Sequence, residues 1–160
     1  MVRWLLNPME ENDGLAVLWI ADRQELVEQA ALSFVKVARS MPLGFERTLR
    51  RIHSAASGPT SVADQDLDVV VATRQSVRGR FDEAAKKRIR RFVGDRPAVV
   101  VVDEAHHAVA PTYRDLLDFL QQVADPVLVG LTATPWPSGF EAGKRLRNRF
   151  PQVVATRRRR

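Results

Sequence analysis

The sequence predicts an α/β fold in which a mostly parallel sheet is flanked by helices. Short apolar runs alternate along the chain with longer segments whose apolar residues show helical spacing, the pattern typical of α/β domains. The clearest run, Val99–Val102, contains only valine and ends at Asp103 and Glu104. A run without polar alternation is typical of a central parallel strand, and ligands of such sheets bind beyond the carboxyl ends of the strands. Asp103 and Glu104 are therefore predicted at a functional edge.

The predicted elements follow one another in a regular alternation. Helical spacing of apolar residues and runs of β-branched residues give strands at 15–21, 47–53, 68–73, 98–103 and 127–131, and helices at 23–39, 82–93, 112–124 and 139–149. Asp22 and Glu25 have the spacing of a capping box at the start of the first of these helices. Tyr113 belongs to an apolar stripe and is expected in the core. The small and polar residues of 54–66 predict a loop.

Length and composition predict a single globular domain. The chain has 160 residues, of which 45% are hydrophobic, and it contains no cysteine. This length suits one domain with its own core, and the missing cysteines exclude disulfides and thiolate metal sites. No apolar stretch is long enough to span a membrane, and no signal peptide is recognisable. A cytoplasmic protein is expected.

The charge predicts an anionic partner. The formal net charge is +6 and the isoelectric point is about 10.7, and basic residues gain affinity for nucleic acids by releasing condensed counterions. The alternative for each cluster is a solvated helix face or a loose tail. The clusters are Arg47, Arg50 and Arg51; Lys86, Lys87, Arg88, Arg90 and Arg91; Lys144, Arg145, Arg147 and Arg149; and Arg157 to Arg160.

Four segments together resemble the motifs of the superfamily 2 helicases and translocases. Asp103–His106, with the sequence Asp-Glu-Ala-His, resembles motif II, and Leu131–Pro135, with the sequence Leu-Thr-Ala-Thr-Pro, resembles motif III. Ala16–Gln29 is similar to motif Ia and Val70–Ser76 to motif Ib. All four occur in the order that the family has. His107 and the Thr-Ala-Thr-Pro-Trp sequence are most similar to the DEAH-type branch, which includes the motor subunits of type I and type III restriction enzymes.

The resemblance implies a RecA-like domain that uses ATP and magnesium. It implies that Asp103 holds magnesium through water and that Glu104 polarises the water that attacks the γ-phosphate. His106 would sense the nucleotide and contact a second RecA-like domain. Thr132 and Thr134 would couple hydrolysis to movement along the nucleic acid.

The resemblance also implies a set of contacts to the nucleic-acid backbone. Motifs Ia and Ib touch the phosphodiester chain in the family, and DNA is the expected partner, with RNA as the alternative. Such contacts position the nucleic acid and do not read its sequence. The residues nominated are Arg23, Gln29, Thr73, Arg74 and Gln75.

The family pattern is incomplete in this chain. No Gly-x-x-x-x-Gly-Lys-[Ser/Thr] loop occurs, and Gly139–Arg145 differs from it in spacing and position. In the family that loop precedes motif Ia by a helix, and Met1–Asn7, followed by Pro8, resembles the end of this helix. We therefore expect a partial ATP-binding domain at 1–156 and a basic tail at 157–160. The chain alone is expected to be inactive in ATP hydrolysis, and the second RecA-like domain is expected to be missing from it.

Three other interpretations stay open. Asp103 and Glu104 could simply complement a helix N-terminus. A zinc site from Asp103, His106 and His107 ranks low, because adjacent histidines do not easily face one metal ion. The whole chain could be a non-catalytic basic module that binds nucleic acid, or a degraded remnant of a motor.

Overall fold

The computed structural model describes residues 1–12, 14–52, 67–78, 83–94, 96–133 and 140–152. Its five strands are β1 (Ala16–Ala21), β2 (Leu49–Ile52), β3 (Val69–Thr73), β4 (Ala98–Asp103) and β5 (Val127–Leu131). Its helices are α1 (Val2–Glu11), α2 (Gln24–Ala38), α3 (Arg74–Arg78), α4 (Glu83–Val93), α5 (Pro111–Ala124) and α6 (Phe140–Arg149), with a 3₁₀ helix at Ala105–Val109. The predicted α/β fold is confirmed, and each of the five strands lies where the sequence predicts it.

The strands form one parallel sheet in the order β2-β3-β1-β4-β5. The two central neighbours of β1 are β3 and β4, so motifs Ia, Ib and II lie on adjacent strands. Every residue of β1 is buried. Alternate residues of β1 belong to two different hydrophobic clusters, one on each face of the sheet, which explains why the sequence of this strand shows no polar alternation.

Helices cover both faces of this sheet. On one face, α1 and α2 pack with Val17, Trp19 and Ala21. On the other face, α4, α5 and α6 contribute buried residues to the cluster that contains Leu18 and Ile20. Within the described parts of the chain, no helix is both long and apolar enough to cross a membrane.

Two local predictions near the N-terminus are wrong. The first helix does not end before Pro8 but continues through it to Glu11. Pro8 is exposed, whereas Leu5 and Leu6 before it and Met9 after it are buried. The packing of these residues outweighs the loss of the helix hydrogen bond that Pro8 cannot donate, because proline has no N–H group. The proposed capping box is also absent, because Arg23 is the N-cap of α2 and makes no side-chain cap bond. Asp22 has other partners, described below.

The sheet has two very different edges. The edge strand β2 carries Arg50 and Arg51, whereas the edge strand β5 is apolar and exposes 58% of Val127. Charged side chains on an edge strand discourage pairing with other chains, and an apolar edge lacks this protection.

Gly130 allows the 3₁₀ helix to pack closely on β5. A Cβ atom built on Gly130 would lie 2.8 Å from the Cβ of Ala105 and 3.2 Å from the ring of Phe150. Contacts between carbon atoms at 2.8 Å do not occur without movement of one partner, so the hydrogen atom of glycine is a packing requirement here.

We expect Gly130→Ala to lower the free energy of unfolding by about 1–3 kcal/mol, because the added methyl group overpacks the contact with Ala105. The matched control is Gly143→Ala in α6, where an added Cβ meets no described atom within 4 Å. This control should be neutral or stabilising by up to about 1 kcal/mol. Urea unfolding followed by circular dichroism measures both, and equal effects of the two changes would contradict the packing argument.

Candidate nucleotide and nucleic-acid edge

The register of the sheet aligns the four motif segments in one row. Ala21 of β1 pairs with Thr73 of β3, and Asp103 of β4 pairs with Leu131 of β5. Ile20 pairs with Val102, so Ala21 and Asp103 also lie side by side. The next residues along the chain are Asp22, Arg74, Glu104 and Thr132. The first residue after each of four strands therefore reaches the same edge of the sheet.

The turn of motif II has a strained backbone. Glu104 adopts the left-handed conformation, with φ 52° and ψ 51°, which is uncommon for a residue other than glycine. The carboxylate of Asp103 accepts a hydrogen bond of 3.0 Å from the backbone N–H of Glu104. The 3₁₀ helix begins at the next residue. Strain of this kind is often found at functional sites, where the surrounding structure holds the residue in place.

The half-buried carboxyl group of Asp103 is costly to ionise. Burial raises its pKa, and the nearby carboxylates of Glu104 and Asp22 raise it further, while the backbone N–H of Glu104 and the indole of Trp19 lower it. The buried Nε1 of Trp19 has no hydrogen-bond partner among the described residues, so the backbone N–H of Glu104 is the donor that the geometry supports. A bound cation would favour the ionised form of Asp103.

The donor set at this edge suits magnesium better than zinc. Within the described residues, no three His, Asp or Glu side chains form a cluster that could hold a metal ion by themselves. Magnesium is commonly bound through only one or two carboxylates, with water and phosphate oxygens as the other ligands. Asp103 can supply such a carboxylate, and magnesium would there neutralise phosphate charge.

His106 joins motif II to the end of β5. Its Nδ1 lies 3.1 Å from the hydroxyl oxygen of Thr132 and 3.2 Å from a carboxylate oxygen of Glu104. The ring of His107 lies beside it, with the ring centroids 4.0 Å apart. The predicted residues Glu104, His106 and Thr132 are thus in direct contact. The predicted residue Thr134 lies outside the described residues, as do 157–160 of the predicted tail.

The carboxylate of Asp22 contacts side chains from three other segments of the chain. Its Oδ1 accepts hydrogen bonds from Nε of Arg74 at 3.1 Å and from the hydroxyl of Tyr113 at 2.9 Å. Its Oδ2 lies 3.6 Å from Nε2 of His107. The guanidinium of Arg74 also lies over the ring of Tyr113, 5.4 Å from its centroid. This Asp22 cluster, formed by Asp22, Arg74, His107 and Tyr113, connects motifs Ia, Ib and II.

Tyr113 is buried and is held in its protonated form. Only 1% of its surface is exposed. Burial raises its pKa most, and the charge of Asp22 and the hydrogen bond to Asp22 raise it further, against the opposing effect of Arg74. Tyr113 therefore acts as a hydrogen-bond donor to Asp22.

The residues nominated for nucleic-acid contact have unequal access to solvent. Arg23, Gln29 and Gln75 are exposed, and Arg74 is partly exposed. Thr73 is only 3% exposed, and its hydroxyl oxygen accepts a hydrogen bond from the backbone N–H of Ser76 at 3.2 Å. The side chain of Thr73 therefore supports the start of α3.

Sequence reasoning missed the role of Asp22 and of the Tyr113 hydroxyl. Asp22 carried the same signal as Asp103, since both are acids that directly follow a buried apolar strand. Asp22 also fits the local pattern of a capping box, and that pattern predicts a different role for it. For Tyr113 the apolar spacing correctly predicted burial, but no local pattern predicts the partner of its hydroxyl.

The chain is a parallel α/β domain with motifs Ia, Ib, II and III in order, and residues of these motifs lie together at one edge of the sheet. This combination defines the class of superfamily 2 helicase-like domains. Comparison with known proteins confirms this class. Residues 2–136 match the family described as type III restriction enzyme, res subunit. The chain belongs to this family.

Two further similarities are found, each over only part of the other protein. A protein of Saccharomyces cerevisiae named "Putative ATP-dependent helicase IRC3" is 26% identical over 132 residues, which is 80% of this chain and 16% of that protein. The crystal structure of the Hef helicase domain of Pyrococcus furiosus covers 92% of this chain and 35% of its own, with 16% identity and a TM-score of 0.43. The chain thus spans a small part of these relatives.

We expect Tyr113 to remain protonated in the folded protein at about pH 11, where an ordinary tyrosine with a pKa near 10 is largely ionised. Tyr113 is the single tyrosine of the chain, so absorbance near 295 nm reports its ionisation alone. Because its pKa is raised, its contribution to stability is complete below about pH 10 and is lost as the pH rises towards the raised pKa.

Tyr113→Phe is the control for this titration. It should remove the absorbance change and should flatten the loss of stability above about pH 10. Circular dichroism at each pH confirms that the chain is still folded. Ionisation of Tyr113 near its ordinary pKa in the folded chain would contradict the buried hydrogen bond to Asp22.

Proposed function

We propose that this chain supplies motifs Ia, Ib, II and III of the motor domain of a superfamily 2 ATPase that moves on nucleic acid. One observation carries the proposal: His106 contacts both Glu104 and Thr132 at the edge where Asp22 and Arg74 also lie. Family membership supports a helicase-like ATPase. DNA as the partner, ATP as the nucleotide and magnesium as the metal are parts of the proposal.

Two neighbouring acids have different roles in the proposed reaction. Asp103 is half-buried and its carboxylate is directed by the N–H of Glu104, which suits it to hold a hydrated magnesium ion. Glu104 exposes 41% of its side chain and is fixed by its left-handed backbone and by its contact with His106. These properties suit Glu104 to orient and polarise an attacking water.

The contact between His106 and Thr132 is the proposed link between hydrolysis and movement. Any shift of Glu104 changes the position of His106, and Thr132 continues directly from β5. Thr134, which lies outside the described residues, is proposed to take part in the same link between hydrolysis and movement.

We expect Glu104→Gln to lower nucleic-acid-stimulated ATP hydrolysis by about 10²- to 10⁴-fold while nucleotide binding is retained, because the amide cannot polarise water. The chain has no Walker A loop, so the assay uses the chain joined to the Walker A segment of a member of its family. Glu141→Gln, on the exposed side of α6, is the matched control and should keep full activity. Full activity of Glu104→Gln would refute the assignment of the catalytic acid.

The Asp22 cluster also makes a specific proposal about nucleic-acid binding. Arg74 is nominated to contact a phosphodiester, yet its guanidinium is paired with the carboxylate of Asp22. A phosphate oxyanion would bind the same donors. Asp22 therefore competes with the nucleic acid for Arg74.

We expect Asp22→Asn to tighten binding of single-stranded DNA by about threefold to tenfold, because Arg74 is no longer held by a carboxylate. Fluorescence anisotropy with labelled DNA and RNA of the same sequence measures the affinity. Arg74→Gln should weaken binding, and Asp22→Asn should give no gain in the Arg74→Gln background.

Glu25→Gln, an exposed acid in the first turn of α2, controls for the general effect of removing one negative charge. An equal gain from Glu25→Gln, or a gain that persists without Arg74, would contradict the competition. Salt-dependent nucleic-acid binding with no hydrolysis in the Walker A fusion would instead favour the non-catalytic binding module.

A further inference from the structure

A cavity of about 330 Å³ lies between α5, α6 and the end of the 3₁₀ helix. Its apolar part is formed by residues that include Val109 and Leu146, and its polar part contains Arg114, Arg145 and Arg149. Among the described residues that line it, Asp118 is the single acid. The cavity shares no residue with the edge that carries Asp103 and Glu104.

Of the three arginines named at this cavity, only Arg149 is paired with an acid among the described residues. Arg149 pairs with Asp118 and also donates to Gln121. Arg145 lies one helical turn before Arg149, and Arg114 lies one turn before Asp118. Both of these arginines line the same cavity as the ion pair.

Arg114 and Arg145 have no acid to neutralise them. Among the described residues, neither guanidinium forms an ion pair or a side-chain hydrogen bond, and Asp118 is already bound to Arg149. Glu141 lies one turn before Arg145 but does not pair with it. Both residues are exposed and line the same cavity, so an anion from solvent can reach both of them.

We propose that this cavity is a binding site for a phosphate group, which lies between Arg114 and Arg145. Guanidinium groups bind phosphate oxygens through two parallel N–H donors, and an anion at this position would neutralise two cations that have no acid partner among the described residues. Asp118 is held by Arg149, so it is not available to neutralise Arg114 or Arg145. The volume is near the lower limit of ligand pockets, as expected for a small group.

The phosphate group could come from a nucleic-acid backbone or from a free phosphorylated compound. Both sources present the same oxyanion, so the experiment uses inorganic phosphate and a single-stranded oligonucleotide in separate arms. The chain is labelled with ¹⁵N, and the side-chain Nε–Hε resonances of its arginines are followed by NMR. Chloride replaces phosphate in the reference titration at constant ionic strength.

We expect saturable shifts of the Arg114 and Arg145 resonances with inorganic phosphate. Arg145→Gln and Arg114→Gln should each weaken phosphate binding by about tenfold, since each removes a charge-assisted hydrogen-bond donor. Lys144→Gln is the matched control, because this exposed residue is the neighbour of Arg145, carries the same charge and does not line the cavity. It should leave binding within about twofold of the original chain.

The two arms then identify the source of the phosphate. Shifts of the same resonances by the oligonucleotide assign the site to a phosphodiester, and binding of inorganic phosphate alone assigns it to a small phosphorylated compound. The absence of saturable shifts with either probe would overturn the proposal. So would an equal loss in Lys144→Gln, because it would show a general charge effect. Circular dichroism spectra of all variants verify that each one folds.

Discussion

The parallel pairing of β1 with β3 and β4 is the constraint on which the candidate site depends. This register aligns Ala21, Thr73 and Asp103, and the pairing of β4 with β5 adds Leu131 to the same row. A shift of one residue in any strand would turn its side chains to the opposite face of the sheet. Because both faces are filled by separate hydrophobic clusters, such a shift is costly. Core packing therefore fixes the positions of the polar residues at the edge.

The Asp22 cluster uses this alignment to bind three segments into one unit. Asp22 follows β1 directly, Arg74 follows β3 directly, and Tyr113 approaches from α5. A carboxylate in this position would be unfavourable without donors, since it is only 21% exposed. The protonated hydroxyl of Tyr113 and the charged guanidinium of Arg74 satisfy it together. The cluster is consequently a local structural support as well as a proposed binding determinant.

The sequence predicts the parts of this structure that depend on local pattern. Strand and helix positions follow from apolar spacing, and the carboxyl-edge location of Asp103 and Glu104 follows from the strand that precedes them. The capping prediction at Asp22 is wrong because an acid that precedes a helix has the same local pattern whether it caps or binds distant residues. Only the tertiary structure brings Arg74 and Tyr113 within reach. The left-handed conformation of Glu104 and the close packing of Ala105 on Gly130 likewise depend on contacts far apart in sequence.

Asp22 and Asp103 have different surroundings, which supports the different functions proposed for them. Both acids lie at the ends of adjacent central strands. Burial raises the pKa of Asp103 most, and the charge of Asp22 adds a smaller increase. Asp22 has a cation and a hydroxyl as partners, whereas Asp103 has no ion pair within the described residues and accepts one backbone N–H. A metal ion would gain little from displacing Arg74 but would directly relieve the charge on Asp103. The same argument supports the proposal that Arg74, and not Asp103, contacts a nucleic-acid phosphate. In the proposed function, two anionic ligands therefore bind at separate points of this edge. The nucleotide phosphates would bind through a metal ion at Asp103, and the nucleic acid would bind at Arg74, for which Asp22 competes.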